Sequence, residues 1–113
     1  MKLSEIIEVL SATVYTHAPD YNMTFERCRA SDLLSDVLMN NKAENSVLLT
    51  GLVNPQVIRT AEMMDIKAVI LVRDKRPSQE MIDMAVTNDI VLLGTPHKLF
   101  ISSGLLYSHN LRD

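Results

Sequence analysis

The chain is poor in the residues that mark several specialised classes of protein. Of its 113 residues, one is a cysteine, three are glycines and none is a tryptophan. A single cysteine excludes an internal disulfide framework and gives no sign of an oxidising compartment. With so few glycines and no glycine-rich loop that contains lysine, the sequence has neither a P-loop nor a dinucleotide-binding fingerprint. Because aromatic residues are scarce, Leu, Ile, Val and seven Met must fill the interior.

Charge and hydropathy argue against two kinds of partner. The 14 acidic residues outnumber the 11 basic ones, which gives a net charge of −3, whereas a nucleic-acid-binding protein usually has a basic face. No apolar stretch approaches the roughly 20 residues that cross a membrane. Two glutamates within the first ten residues are incompatible with the apolar segment of a signal peptide. We therefore expect a cytoplasmic protein whose partners are neither nucleic acid nor membrane.

Three apolar runs, each followed by a proline and an amphipathic run, dominate the pattern. The apolar runs are residues 46–50 (SVLLT), 67–72 (KAVILV) and 90–94 (IVLLG), and the prolines that follow them are Pro55, Pro77 and Pro96. Continuous apolar runs are typical of strands that are buried on both faces of a parallel sheet, because a half-exposed strand alternates. The pattern predicts a small single-domain α/β fold over residues 1–113, with a mostly parallel sheet built from βα units.

The first part of the chain has a weaker pattern. A short helix within the first ten residues precedes a predicted strand over residues 12–16, and a second short strand is predicted over residues 25–30. This region could add antiparallel edge strands to the sheet. The next helix begins at Ser31 or Asp32 and is predicted to end at Asn40 and Asn41, which tolerate the left-handed conformation of a helix stop.

Helix starts are indicated by the residues beside the three prolines. Asn54, Ser78 and Thr95 are predicted caps, and a proline fits the first helical turn, where its missing N–H costs nothing. The last helix has a stripe with helical spacing, formed by Leu99, Phe100, Ser103, Gly104 and Tyr107. Gly104 lowers the stability of that helix unless another backbone packs closely against it.

Three segments of the chain resemble the DRTGG domain family. They are residues 31–37 (SDLLSDV), 48–66 (LLTGLVNPQVIRTAEMMDI) and 94–107, and the resemblance extends over the whole length. It implies a compact α/β domain, often a homodimer, with a fold similar to the N-terminal domain of bacterial HPr kinase. Family members occur alone, between CBS domains in regulatory pyrophosphatases, and ahead of the catalytic part of phosphotransacetylases. In these settings the domain is a regulatory or ligand-sensing accessory.

The chain departs from the family in the stretch that gives the family its name. The Asp-Arg-Thr-Gly-Gly sequence should fall near residues 22–28, which here read NMTFERC. The Asp-Arg pair and both glycines are absent. If those glycines let a backbone approach a ligand closely, this chain has lost or changed that ligand. The resemblance supplies no catalytic residue to carry over.

Ligand sites in parallel α/β sheets lie at the carboxyl ends of the strands, which selects seven candidate residues here. They are Ser31, Asp32, Thr50, Gly51, Asn54, Arg73 and Thr95. Thr50, Asn54 and Thr95 would form hydrogen bonds with a ligand, and Arg73 would meet an anion such as a small anionic metabolite. The alternative is that all seven serve only as helix caps and turns. The sequence identifies no cofactor.

Three functions are compatible with the sequence. The first is a stand-alone regulatory or ligand-sensing module that dimerises and has no catalysis of its own. The second is an adaptor that acts through a dimer or partner surface. The third is an enzyme for a phosphorylated or acyl metabolite, for which the candidates are Asp32, Cys28 and His97, without positive evidence. The histidines His17, His97 and His109 lack metal-ligand spacing.

Overall fold

A computed structural model describes residues 1–16, 19–38 and 44–113. The helices are α1 (Leu3–Leu10), α2 (Leu34–Leu38), α3 (Pro55–Met63), α4 (Gln79–Thr87) and α5 (Leu99–Ser108). The strands are β1 (Thr13–Val14), β2 (Arg27–Ala30), β3 (Ser46–Thr50), β4 (Ala68–Leu71) and β5 (Val91–Gly94). His17 and the predicted helix end at Asn40 and Asn41 lie outside the described residues.

The strands form one sheet in the order β1-β5-β4-β3-β2. The strands β2 to β5 are parallel to one another, and β1 pairs antiparallel with β5. The three apolar runs became β3, β4 and β5, and every residue of these strands is buried. The predicted α/β fold with a mostly parallel sheet is confirmed. The expectation of antiparallel edge strands is correct for β1 and wrong for β2, which is parallel to β3.

Helices cover both faces of the sheet, which explains why its strands are apolar throughout. On one face, α3 contacts both α2 and α4, and Leu48 and Val69 lie in the core beneath them. On the other face, α1 packs against α5, and Leu49 and Ile70 lie in a second core. Neighbouring residues of a strand point to opposite faces, so each strand supplies apolar side chains to both cores.

Two of the predicted helix starts are correct in position. Ser78 precedes α4, and its hydroxyl accepts a hydrogen bond from the Met81 N–H at 3.2 Å. Asn54 precedes α3, which begins with Pro55, but the Asn54 side chain forms no capping hydrogen bond. The proline alone therefore marks the start of α3, because its fixed φ suits the first helical turn.

The predicted start of the last helix is wrong. The helix α5 begins at Leu99 after Lys98, and Thr95 and Pro96 lie in the preceding loop. The Thr95 hydroxyl donates a hydrogen bond to the Leu10 carbonyl at 2.6 Å and so joins this loop to the end of α1. That buried bond holds Thr95 outside the helix.

Only part of the predicted stripe on α5 faces the core: Leu99 packs against it. The residues of α5 that are buried are Ser102 and Leu106, whereas Phe100 and Gly104 are exposed. A Cβ added to Gly104 would meet no atom within 4 Å. Glycine in a helix interior costs about 1 kcal/mol relative to alanine. No close packing within the described chain offsets that cost.

The outer edge of β2 is covered by the end of the chain. The Cys28 N–H donates to the Arg112 carbonyl at 2.9 Å, and the Arg112 N–H donates to the Glu26 carbonyl at 3.2 Å. Residues 111–113 thus run beside β2 as an irregular extra strand. Across the described residues, no helix has the length and apolar character that a membrane crossing requires.

Candidate functional site

The candidate site lies at the edge of the sheet where β2, β3 and β4 end. Hydrogen bonding between the strands continues one residue beyond β2 and β4. Ser31 follows β2 and Val72 follows β4, and their N–H groups donate to carbonyls of β3 at 3.0 Å. Parallel strands end at the same edge of a sheet, so the residues that follow them become neighbours. This arrangement brings Asp32, Gly51 and Arg73 together from three separate parts of the chain.

The Asp32 carboxylate closes the loop that follows β3. Its Oδ1 accepts a hydrogen bond from the Gly51 N–H at 2.5 Å and another from the Thr50 hydroxyl at 3.4 Å. The Thr50 Oγ1 in turn accepts a hydrogen bond from the Leu52 N–H at 3.2 Å. A backbone N–H between a strand and a helix is the kind of donor that binds anions. In this loop the anion is supplied by the protein.

Gly51 is packed closely against the ends of two side chains. A Cβ on Gly51 would lie 2.6 Å from Nη2 of Arg73, and 3.2 and 3.3 Å from the two carboxylate oxygens of Asp32. The backbone φ of Gly51 is not positive, so its conformation does not require glycine, and a Cβ there would displace the end of the Arg73 side chain. We call the four residues Asp32, Thr50, Gly51 and Arg73 the rim cluster.

The loop after β4 places Arg73 through an uncommon backbone conformation. Arg73 and Asp74 both have left-handed φ angles, of 61° and 58°. Such conformations cost roughly 1–3 kcal/mol each outside glycine and persist where surrounding contacts fix them. The contacts here come from the loop after β5: the Arg73 N–H donates to the His97 carbonyl at 2.8 Å, and the Asp74 N–H donates to the Thr95 carbonyl at 2.9 Å.

The guanidinium of Arg73 is the group of the rim cluster that is available to a ligand. Arg73 is exposed, and among the described residues no oxygen accepts a hydrogen bond from its side chain. A guanidinium presents a planar fork of donors that matches a carboxylate or a phosphate. The Gly51 N–H, by contrast, is already bound by Asp32. The cluster can therefore receive one external anionic group, next to its own carboxylate.

The other three predicted site residues have contacts of different kinds. The Ser31 hydroxyl accepts a hydrogen bond from the Leu33 N–H at 3.0 Å and so forms a turn ahead of α2. Thr95 is buried and its hydroxyl accepts from the His97 N–H at 3.3 Å. Asn54 is exposed ahead of α3. Four of the seven predicted residues are thus in one cluster, and Ser31 and Thr95 have structural contacts that already engage their hydroxyls.

Cavities elsewhere in the fold had no counterpart in the sequence pattern. One of about 310 Å³ lies near the start of β5, and its lining includes Met23, Val86 and Ile90. Asp20 and Asp89 also line it, and among the described residues no basic side chain does, so its charge does not suit an anion. The lining residues come from separate segments of the chain, which is why no motif marks them.

Cys28 and His97, the other residues considered for catalysis, are placed unfavourably for it. Burial, assisted by the charge of Asp113, raises the pKa of the Cys28 thiol to about 12, so the thiol is protonated near neutral pH and is a poor nucleophile. The His97 backbone, through both its N–H and its carbonyl, is engaged in the loop after β5. Within the described residues, no three His, Cys, Asp or Glu side chains converge as a metal site.

Comparison with known proteins identifies the fold. No protein-family model and no curated protein matches the sequence. The chain is similar in structure to the regulatory region of a Clostridium perfringens pyrophosphatase, which contains CBS and DRTGG domains and was crystallised with its activator, diadenosine tetraphosphate. The TM-score is 0.71 at 19% sequence identity, over 93% of this chain and 45% of that one. The chain has a DRTGG-like fold. It spans less than half of that regulatory region.

The likeness is one of fold, at a sequence identity too low to carry functional residues from one chain to the other. The segment that takes the place of the name-giving motif, near residues 22–28, lies at the start of β2 and contributes Phe25 to the core. It is therefore at the opposite end of β2 from Asp32 and the rim cluster.

Proposed function

We propose that this chain is a regulatory module of the cytoplasm that senses a small anionic metabolite, works as a homodimer and has no catalysis of its own. The observation that carries the proposal is the exposed guanidinium of Arg73, held against Gly51 and beside Asp32 at the carboxyl edge of the sheet. Ligands of open α/β sheets bind at this edge, outside the carboxyl ends of the strands.

The structural neighbour supports the regulatory part of the proposal. Its regulatory region was crystallised with diadenosine tetraphosphate, which that protein uses as an activator. A module with the same fold and an exposed guanidinium at the strand ends fits an anionic ligand that presents a phosphate or a carboxylate. The guanidinium would bind one such group through two parallel hydrogen bonds.

The backbone around Arg73 supports a binding role over a purely structural one. Arg73 and Asp74 have left-handed φ angles, and Nη2 of Arg73 lies beside Gly51 although no oxygen of the described residues accepts a hydrogen bond from the guanidinium. Backbone strain of this kind is concentrated at ligand clamps and switch regions.

Thermal unfolding in the presence of candidate ligands tests the proposal. The ligands are diadenosine tetraphosphate, ATP, an acyl phosphate, coenzyme A and inorganic phosphate. A ligand at 100 times its dissociation constant stabilises the folded state by about 2.7 kcal/mol, which is a readily measured shift. We expect Arg73→Gln to remove the shift. Arg76→Gln is the matched control, because it deletes the same charge from an exposed position in the same loop.

The proposal fails if none of these ligands raises the unfolding temperature of the wild-type chain. It also fails if the two variants lose the shift equally, because the effect would then be one of net charge. A wild-type dimer without any ligand response would favour the adaptor function instead.

A further inference from the structure

The outer face of α5 carries an unusual share of the exposed apolar surface. Phe100 is 85% exposed, Tyr107 62% and Ile101 49%. In the described part of the chain seven large apolar side chains are exposed, and three of them lie on this one helix. A concentration of this kind marks an interaction surface more often than scattered exposed residues do.

Gly104 forms a gap between the two aromatic rings. Residues 100, 104 and 107 are spaced by four and three, so they lie along one side of the helix. A Cβ at position 104 would meet nothing within 4 Å, which means that the space above Gly104 is open. The backbone of α5 is therefore accessible between Phe100 and Tyr107 to an element that is not part of the described chain.

The Tyr107 ring is held in place from within the chain. The Arg112 guanidinium carbon lies 3.8 Å from the centroid of that ring, and its Nη1 donates to the Tyr107 carbonyl at 2.9 Å. An exposed aromatic side chain that is fixed before binding loses little entropy on association. The same contact places the guanidinium over one side of the ring.

The helix α5 itself brings no charge to this face, which limits the chemistry of its partner. No residue of α5 is acidic or basic, although the chain as a whole has 25 charged residues among 113. A partner surface with several charges would lose its hydration here and would meet only the Arg112 guanidinium, which already lies over the Tyr107 ring. An uncharged apolar face is the complement required, and the α5 face of a second copy of the chain is one.

We propose that the outer face of α5 is the surface on which a second copy of this chain docks, with the two α5 helices antiparallel and crossing at Gly104. In a two-fold arrangement each surface meets itself, so Phe100 of one copy lies near Tyr107 of the second copy, and the two glycines face each other. Gly104 then permits the close approach of two helix backbones. This inference specifies the surface of the homodimer contained in the proposed function and rests on it.

The area available is consistent with a dimer contact. An aromatic side chain buries roughly 150–250 Å². With the exposures given above, Phe100, Tyr107 and Ile101 would supply about 350 Å² on each copy, nearly half of the roughly 800 Å² that each partner contributes to a standard interface. The polar residues that border the helix face would supply the remainder, as the rim of an interface usually does.

Sedimentation equilibrium on the full chain, over a wide concentration range, tests the proposal. We expect a dimer mass for the wild type and at least a thirtyfold weaker dissociation constant for Phe100→Glu, as for a central hot-spot residue. Met63→Glu is the matched control: Met63 is 60% exposed on α3, in the helix layer on the other face of the sheet. Its dissociation constant should be unchanged. Circular dichroism verifies that both variants fold.

A cysteine at the crossing point provides an independent measurement. Gly104→Cys would bring two thiols together in the antiparallel dimer and should form a disulfide-linked dimer under mild oxidation, whereas Met63→Cys should not. The native Cys28 is on β2 and does not interfere, because its thiol is buried and protonated.

The proposal is overturned by a wild-type monomer at every concentration, by a Phe100→Glu variant that still dimerises, or by equal losses in both glutamate variants. The ligand response of Arg73 is measured separately from mass. A monomeric Phe100→Glu variant that still responds to ligand would leave the sensing function intact, and a dimer without any ligand response would leave the α5 surface intact.

Discussion

At the scale of single residues, Asp32 determines the shape of the candidate site. Its carboxylate binds the Gly51 N–H that would otherwise be the anion-binding donor of the loop after β3. Because that donor is occupied, an external anion has to be recognised by Arg73. The same contact joins the start of α2 to the end of β3, so Asp32 has a structural effect that can be measured without any ligand.

We predict that Asp32→Ala lowers the free energy of unfolding by about 1–3 kcal/mol, because the N–H of buried Gly51 then loses its acceptor. Asp32→Asn retains an acceptor oxygen at the same place and should cost less than half as much. Urea unfolding of the two variants measures the difference. Equal stabilities of the two variants would show that the hydrogen bond to Gly51 contributes nothing.

At the scale of secondary-structure elements, α5 differs from α3 and α4. Those two helices bury one side against the sheet and present polar residues outside, whereas α5 is apolar on both sides. The glycine in its middle makes α5 weaker than its apolar content suggests. Nothing within 4 Å of the Gly104 Cβ position would obstruct an alanine there.

We predict that Gly104→Ala raises the free energy of unfolding of the monomer by about 1 kcal/mol through helix propensity alone. The measurement is urea unfolding in the Phe100→Glu background, so that association does not contribute. Gly51→Ala is the control, since it lies outside the helices and its Cβ would meet Arg73. It should bring no gain in stability, and a gain of the same size in both variants would contradict the prediction.

The elements were largely predictable from the sequence, whereas their contacts were not. Continuous apolar runs identified β3, β4 and β5, and Pro55 and Ser78 identified two helix starts. The prediction that α5 begins at Pro96 was wrong, because a proline is equally suited to a loop. The hydrogen bond from the Thr95 hydroxyl to α1 keeps this segment outside the helix. Such a long-range contact leaves no mark in local sequence.

The candidate site was predictable in part for the same reason. A parallel sheet collects the residues that follow its strands at one edge, so Asp32, Thr50, Gly51 and Arg73 could be selected from strand ends alone. The sequence could not show that Asp32 binds Gly51, nor that two left-handed residues direct Arg73 back across the loop. Both depend on the distances between loops after folding.

At the scale of the whole molecule, one sheet is shared by two cores. The strand β4 lies in the centre of the sheet between β3 and β5, and β3 and β4 are buried throughout and supply residues to both cores. Neither core can be lost without exposing the strands that also form the other. The molecule should therefore unfold as one cooperative unit.

We predict a single unfolding transition whose midpoint is the same by circular dichroism and by tyrosine fluorescence. Native-state hydrogen exchange should be slowest for amides of β3 and β4 and fast for β1, a two-residue strand at the edge of the sheet. Two separate transitions, or exchange in β4 as fast as in β1, would contradict this description.

The covered edge of β2 has a consequence for how copies of the chain meet. An open strand edge is a template on which another chain can extend a sheet, and proteins block such edges to avoid aggregation. Here residues 111–113 occupy the edge at β2, and the opposite edge, at β1, is only two residues long. A continuous intermolecular sheet, as in a fibril, therefore cannot extend from the covered edge at β2. The edge at β1 is too short to be a good template for another strand. In the proposed dimer, association would therefore proceed through side chains, which can select one partner and stop at two copies.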